Sequence, residues 1–166
     1  MSIYTKLWLM DRNERFKQLL LKRGTPEFLS PQENLVLVYG SLKKNHHNAE
    51  LMNGAEFICQ TMTRGGNFKM VSMKGGYPGV TWGRFRIAGE VYAVSDLHLE
   101  LLDCLEGEGD FYKRHQCCTQ ELGGEAPVWI YVLYQNFKDS IDLTEADHII
   151  YDESCLSMEW SLRANP

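Results

Sequence analysis

No run of apolar residues in this 166-residue chain approaches the roughly 18 that a bilayer-spanning helix requires. A membrane is therefore not among its expected partners. Basic clusters are missing too. The formal net charge is −5 and no window is dominated by Lys and Arg, which excludes nucleic acid and anionic lipid surfaces as expected partners. The apolar patch within MSIYTKLWLMDRNERFKQ is short and followed at once by charge, whereas a secretory h-region needs roughly seven to fifteen residues. The expected location is the cytoplasm. The five cysteines (Cys59, Cys104, Cys117, Cys118, Cys155) are odd in number and form no CxxC, which argues against a disulfide framework and for reduced thiols. His115, Cys117 and Cys118 are close in sequence, as are His46 and His47. But Cys117 and Cys118 would point to opposite faces of a strand, and the spacing fits no common zinc pattern. No metal site is expected. Internal repeats and low-complexity tracts are absent as well.

What is present suffices for a globular core: 44% of the residues are hydrophobic and 23% charged, near the average for folded domains. In residues 1–33, Leu9, Met10, Phe16, Leu19 and Leu20 come near one helical face. Gly24, Pro26 and Pro31 then break the pattern. This segment reads as a helical extension and linker, a packing arm or a contact to another copy or a protein partner. Residues 34–166 read as one domain with a C-terminal tail. Residues 35–39 form a continuous β-rich apolar run, as a buried strand would. Asn48 is placed to cap a short helical turn that ends at Gly54. Short strands are expected over 57–63, 68–73, 85–94, 115–121 and 128–134, with a glycine-rich loop, GGYPGVTWG, over 75–83. The clearest helix signal is SDLHLELLDCLEG: Ser95 or Asp96 caps it, Leu97, Leu101, Leu102 and Leu105 recur at helical spacing, and Gly107 ends it. A short helix is read near 143–150. Many short strands and one interrupting helix predict an α+β fold with a curled or closed sheet.

Two stretches carry candidate chemistry. In LVLVYGSLKK (35–44) a buried strand stops at Tyr39-Gly40-Ser41-Leu42. If Gly40 takes a positive φ, successive N–H groups can converge on an anion, and Ser41 adds a hydroxyl. The phosphate-loop pattern G-x-x-x-x-G-K-[ST] is absent, and a carboxylate fits such a nest as well as a phosphate. A strand-ending glycine is also an ordinary structural device. In LLDCLEGEGDFYKR the acids Glu106, Glu108 and Asp110 alternate with glycines, and the calcium-loop pattern is not matched. Glu108 and Asp110 read as a solvated acidic loop. Glu106 differs: it follows Leu101, Leu102 and Leu105, precedes Phe111 and Tyr112, and ends a helix. Apolar walls and the negative helix end disfavour its ionised form, which suits a general base near neutral pH; on these residues alone an ordinary solvated acid at a helix end is the other reading.

Taken together, the order VYGSL, NAELMNGAEF, GGYPGV, GEVYAV, LDCLEGEGDFYKR and VWIYVLY resembles the γ-glutamyl cyclotransferase-like superfamily, nearest its γ-glutamylamine cyclotransferase and AIG2-like branch. The resemblance spans residues 35–134, about 100 positions. It implies a small mixed β-barrel with flanking helices. It implies that Tyr39, Gly40, Ser41 and Leu42 bind the α-carboxylate of a small-molecule γ-glutamyl substrate, and that Glu106 is the catalytic carboxylate. Tyr77 and Tyr112 would border the pocket, or else pack at its rim or in the core. Arg114 would pair with an acid inside the barrel or else help hold the substrate, Glu90 would be a structural partner, and Lys43 and Lys44 would be solvated. No cofactor is implied. The pattern departs at Asn45, where relatives often carry glycine, and asparagine tolerates left-handed backbone better than most residues.

Three functions follow from these readings. The leading one is a cyclotransferase-type enzyme releasing 5-oxoproline and a free amine from a γ-glutamyl amine or related γ-glutamyl compound. The competing class is a non-catalytic module binding a small metabolite or a protein on the same fold. A hydrolase with a cysteine nucleophile is the third, without a recognisable Cys-His motif to support it.

Overall fold

The computed structural model describes residues 12–29, 31–73, 76–107, 111–134 and 148–161. Strand β1 (Asn34–Val38) organises the molecule. It lies between β5 (Arg86–Val94), to which it is antiparallel, and β7 (Gly123–Leu133), to which it is parallel. With sheet neighbours on both sides, it sends alternate residues to opposite faces. Leu37 joins Val91, Ile130 and Val132 in one cluster, whereas Val36 and Val38 join Tyr92, Val94 and Tyr131 in another. Both faces are covered, which is why the run reads as continuously apolar.

The sheet runs β6 (Tyr112–Thr119), β7, β1, β5, β9 (Ser157–Trp160), β8 (Ile149–Asp152), with β2 (Glu56–Met62) also paired to β5. A separate hairpin of β3 (Phe68–Met73) and β4 (Tyr77–Trp82) folds over the first cluster, contributing Phe68, Met70 and Val80. The result is a curled, mixed half-barrel with few helices, an α+β fold. The pairing register shifts between Phe57 and Cys59 in β2 and between Cys117 and Thr119 in β6.

The stretch 75–83, read as a glycine-rich loop, holds a strand instead. Tyr77–Trp82 pairs residue for residue with β3, and Gly79 lies so close to Leu133 that an added Cβ would be 2.5 Å from its Cδ1. The glycine marks a close approach, not a turn. The helix read near 143–150 is corrected only at its end. Ile149 and Ile150 belong to β8, drawn into pairing with β9; residues 143–147 lie outside the described residues.

The first helices are α1 (Arg12–Leu21) and the single turn α2 (Pro26–Leu29); Leu9 and Met10 lie outside the described residues. Helix α3 (Asp96–Glu106) begins at Ser95, whose side chain accepts the His98 N–H, and ends at Gly107 in the left-handed region. Two stripes of α3 are buried. Leu99 and Leu102 pack on the sheet, and Leu97, Leu101 and Cys104 pack on Leu19 and Phe28. Each such leucine contributes about 1.5–3 kcal/mol through burial. The N-terminal segment thus presses α3 onto the sheet. His98 stacks on Phe28 at 4.5 Å, and burial pushes its imidazole down to about 4. Among the described residues no helix is long and apolar enough to cross a membrane.

Candidate active site

Beyond Val38 the chain leaves the sheet and turns. The Lys43 N–H donates to the Gly40 carbonyl at 3.0 Å, and the Asn48 N–H to the Ser41 carbonyl at 3.0 Å. The Asn48 amide does not cap the 3₁₀ turn Ala49–Met52; it donates to Ser41 Oγ at 3.0 Å and so fixes that hydroxyl. Among the described residues the N–H groups of Ser41 and Leu42 have no hydrogen-bond partner. The condition of a positive φ at Gly40 is not met; the left-handed position falls on Asn45, φ 66°. Glycine is required at position 40 for space, because a Cβ there would lie 2.8 Å from Pro78 Cγ.

The loop is braced from behind. Lys43, expected in solvent, is buried: its ammonium donates to the Trp160 carbonyl and lies 3.7 Å from Glu159 Oε1. The Lys44 N–H donates to Glu90 Oε1 at 2.9 Å, and the Tyr92 hydroxyl donates to the same atom at 3.0 Å. The Lys44 ammonium rests 3.5 Å from the centre of the Phe57 ring. Glu90 is thus a structural partner that ties loop to barrel.

Glu106 is the last residue of α3. Gly107, at φ 65° and ψ 47°, lets its N–H return to the carbonyls of Asp103 and Cys104 and turns the chain away at once. A cavity of about 380 Å³ separates this helix end from the loop, a size usual for small-molecule sites. Tyr39, Gly40, Ser41, Leu42, Tyr77, Glu106 and Tyr112 all line it. Tyr39 and Tyr112 are buried wall residues whose hydroxyls donate to the carbonyls of Tyr131 (2.7 Å) and Pro78 (3.2 Å). Tyr77 is exposed at the rim. No lysine or arginine among the described residues lines the cavity. An anion held there would depend on backbone amides and the Ser41 hydroxyl.

Glu106 is pushed up to about 7, first by loss of solvent and then by the neighbouring Asp103 charge. Burial and the nearby Glu106 charge likewise raise the Tyr39 and Tyr112 hydroxyls, which stay protonated. Arg114 does pair with an acid: its Nε lies 2.7 Å from Asp103 Oδ1. The Cys117 thiol is pushed up to about 12 by burial, so the thiolate a nucleophile needs is disfavoured there. His115 packs edge-on against Trp82, and no group of three His, Cys, Asp or Glu side chains among the described residues is arranged to hold a metal. Glu108 and Asp110 lie outside the described residues.

Several wall residues escaped the sequence reading. Tyr131, Pro78, His47, Phe111 and Cys104 also line the cavity. Only Tyr131 left a usable signal, as a polar-tipped residue in the apolar strand VWIYVLY. The others depend on how the β3–β4 hairpin and α3 pack.

Known proteins resemble this chain in sequence and in fold. The family described as gamma-glutamyl cyclotransferase, AIG2-like, matches residues 36–154. A gamma-L-glutamyl-butirosin B gamma-glutamyl cyclotransferase of Niallia circulans is 33% identical over 103 residues, 58% of this chain and 65% of the relative. The gamma-glutamylcyclotransferase family protein YtfP of Escherichia coli K12 is 33% identical over 111 residues, 67% of this chain and 91% of that protein. The crystal structure of an AIG2-like protein from Mus musculus superimposes with a TM-score of 0.55 at 22% identity, covering 80% of this chain and 98% of that one. The chain belongs to the gamma-glutamyl cyclotransferase, AIG2-like family.

Proposed function

We propose that this protein cyclises a γ-glutamyl amine or related γ-glutamyl compound, releasing 5-oxoproline and a free amine. The observation that carries the reading is the cavity itself. It sets a carboxyl poised near neutrality, Glu106, across from a strand-end loop with open amides. The substrate's α-carboxylate would lie on the Ser41 and Leu42 amides, with the phenols of Tyr39 and Tyr112 walling the glutamyl chain. Ionised Glu106 takes a proton from the α-amine. The amine attacks the γ-carbonyl carbon, a C–N bond closes the five-membered ring, and the original γ-amide C–N bond breaks. Glu106 returns the proton to the departing nitrogen. Because the nucleophile and electrophile share one molecule, holding the folded conformer supplies much of the acceleration. A carboxyl whose proton affinity matches the working pH serves both transfers.

The catalytic unit in this reading is residues 34–166, acting in the cytoplasm, with residues 12–29 as an arm that seats α3. The names of the Niallia circulans relative, a gamma-L-glutamyl-butirosin B gamma-glutamyl cyclotransferase, and of a gamma-glutamylaminecyclotransferase C of Danio rerio, 38% identical over 99 residues, favour an amine leaving group. The test is 5-oxoproline release from γ-glutamyl-ε-lysine, simple γ-glutamyl amines, γ-glutamyl-alanine and glutathione, with parent and Glu106→Gln side by side. Release by the parent and a loss of at least about a hundredfold in the variant is expected, the usual scale of acid–base assistance. A variant within a few-fold of the parent refutes the role of Glu106. Silence of a folded parent across the panel favours the binding-module reading.

A further inference from the structure

Behind the cavity wall lies a cluster that the proposed reaction does not itself consume. Asp103 precedes Glu106 by three residues on α3, so the two carboxyls are neighbours on one helix face, about 5–6 Å apart at Cβ. Asp103 Oδ1 receives the Tyr131 hydroxyl at 2.7 Å and lies 2.7 Å from Arg114 Nε. Those two partners sit directly opposite each other in the β6–β7 ladder, so one register presents both to Asp103. The Arg114 guanidinium is further seated over the Trp129 ring at 4.5 Å. Tyr131 belongs to the cavity wall, and its carbonyl accepts the Tyr39 hydroxyl. On its other side Asp103 borders a shallow groove with Asp96, Leu99, Glu100 and Arg114. The cluster therefore joins the cavity to the outside through Asp103.

We infer that Asp103 is a positioning residue of the proposed reaction: its carboxylate, clamped beside Glu106 by the Arg114 guanidinium and the Tyr131 hydroxyl, governs proton transfer at Glu106. The inference rests on the acid–base role proposed for Glu106. The groups that face Glu106 are the phenols of Tyr39 just beyond β1, Tyr112 on β6 and Tyr131 on β7, with His47 and Tyr77 on the cavity wall and Asp103 on its own helix. The phenols are neutral while protonated. Asp103 supplies a negative charge and Arg114, behind it, a positive one. The pair thus divides the field at Glu106 into two opposed parts, and removing either member must move the Glu106 midpoint in a predictable sense. A charge that disfavours the carboxylate is also the second cause of its high proton affinity, after burial.

The experiment follows the Glu106 carboxyl by ¹³C NMR in the free protein, assigned with Glu106→Gln. The pH profile of kcat/KM for 5-oxoproline release is measured in parallel. Asp103→Asn removes the negative charge and leaves Arg114 unbalanced, so both the midpoint and the acid limb fall, by about one pH unit. Arg114→Gln leaves Asp103 unbalanced, and both rise. The double variant returns toward the parent, and Arg114→Lys, which keeps the charge, stays near it. A purely structural cluster would lower activity without moving the midpoints in opposite directions. Midpoints that stay fixed, or that move the same way in both single variants, overturn the inference. If Asp103→Asn does not fold, Arg114→Gln against Arg114→Lys decides it. A parent that titrates as expected but releases no product removes the proposed function, and the carboxyl midpoints still decide the coupling.

Discussion

Glu106→Gln should do more than silence turnover: it should change how stability depends on pH. In the unfolded chain this carboxyl loses its proton near its ordinary value of 4.5; in the folded protein it does so near 7. Between those values the folded state holds a proton that the unfolded state has released. The parent therefore loses stability as pH rises through the window. At about 1.36 kcal/mol per pH unit, the full interval corresponds to about 3.4 kcal/mol. Glu106 is partly open to the cavity, and screening there reduces the expected effect to about 2 kcal/mol. Glutamine has the same shape and no such loss. The stability difference between Glu106→Gln and the parent should thus grow by about 2 kcal/mol from pH 4 to pH 8, always in the variant's favour. Urea unfolding of both proteins at four or five pH values reads this directly, since a common slope lets midpoints be compared. Parallel pH curves would show that Glu106 titrates alike in the folded and unfolded states, and the argument for a tuned carboxyl would fail.

Two further outcomes follow from the loop. Gly40→Ala sets a methyl 2.8 Å from Pro78 Cγ. The hairpin or the loop must shift, costing about 1–3 kcal/mol in thermal or urea unfolding, and KM for the γ-glutamyl substrate should rise. An unchanged melting temperature and KM would mean that Pro78 yields freely. Lys43→Met keeps the buried stem but removes the donor to the Trp160 carbonyl. It should cost about 1–3 kcal/mol and weaken substrate binding more than turnover, and a kcat-only effect would refute the bracing role.

The helix and its ends were legible because their signals are local. Ser95, the leucine spacing and Gly107 act within one or two turns of themselves. Glu106 was legible for the same reason, as an acid at a helix end among apolar neighbours. The strand over 77–82 was hidden because its glycine is explained by Leu133, more than fifty residues away. Lys43 misled in the same way. A lysine after a turn reads as solvated, and only the C-terminal hairpin, whose place in the sheet no local pattern encodes, shows why it is buried. The sheet order and the choice of Tyr131 as a wall residue are likewise properties of pairing, which period and composition do not specify.

Strand β9 lies parallel to β5 through Arg86 and Ile87, and its Trp160 carbonyl anchors Lys43 across 117 positions of chain. During synthesis, the loop at 39–42, α3 and β7 are all made before that anchor exists. A nascent chain can collapse around β1, β5 and β7 with the loop still unbraced. The loop is then braced in one late step, when residues 149–160 have left the ribosome and docked. Ligand binding should accordingly appear after most of the native secondary structure in a refolding experiment, and slowly, as expected for long-range strand pairing.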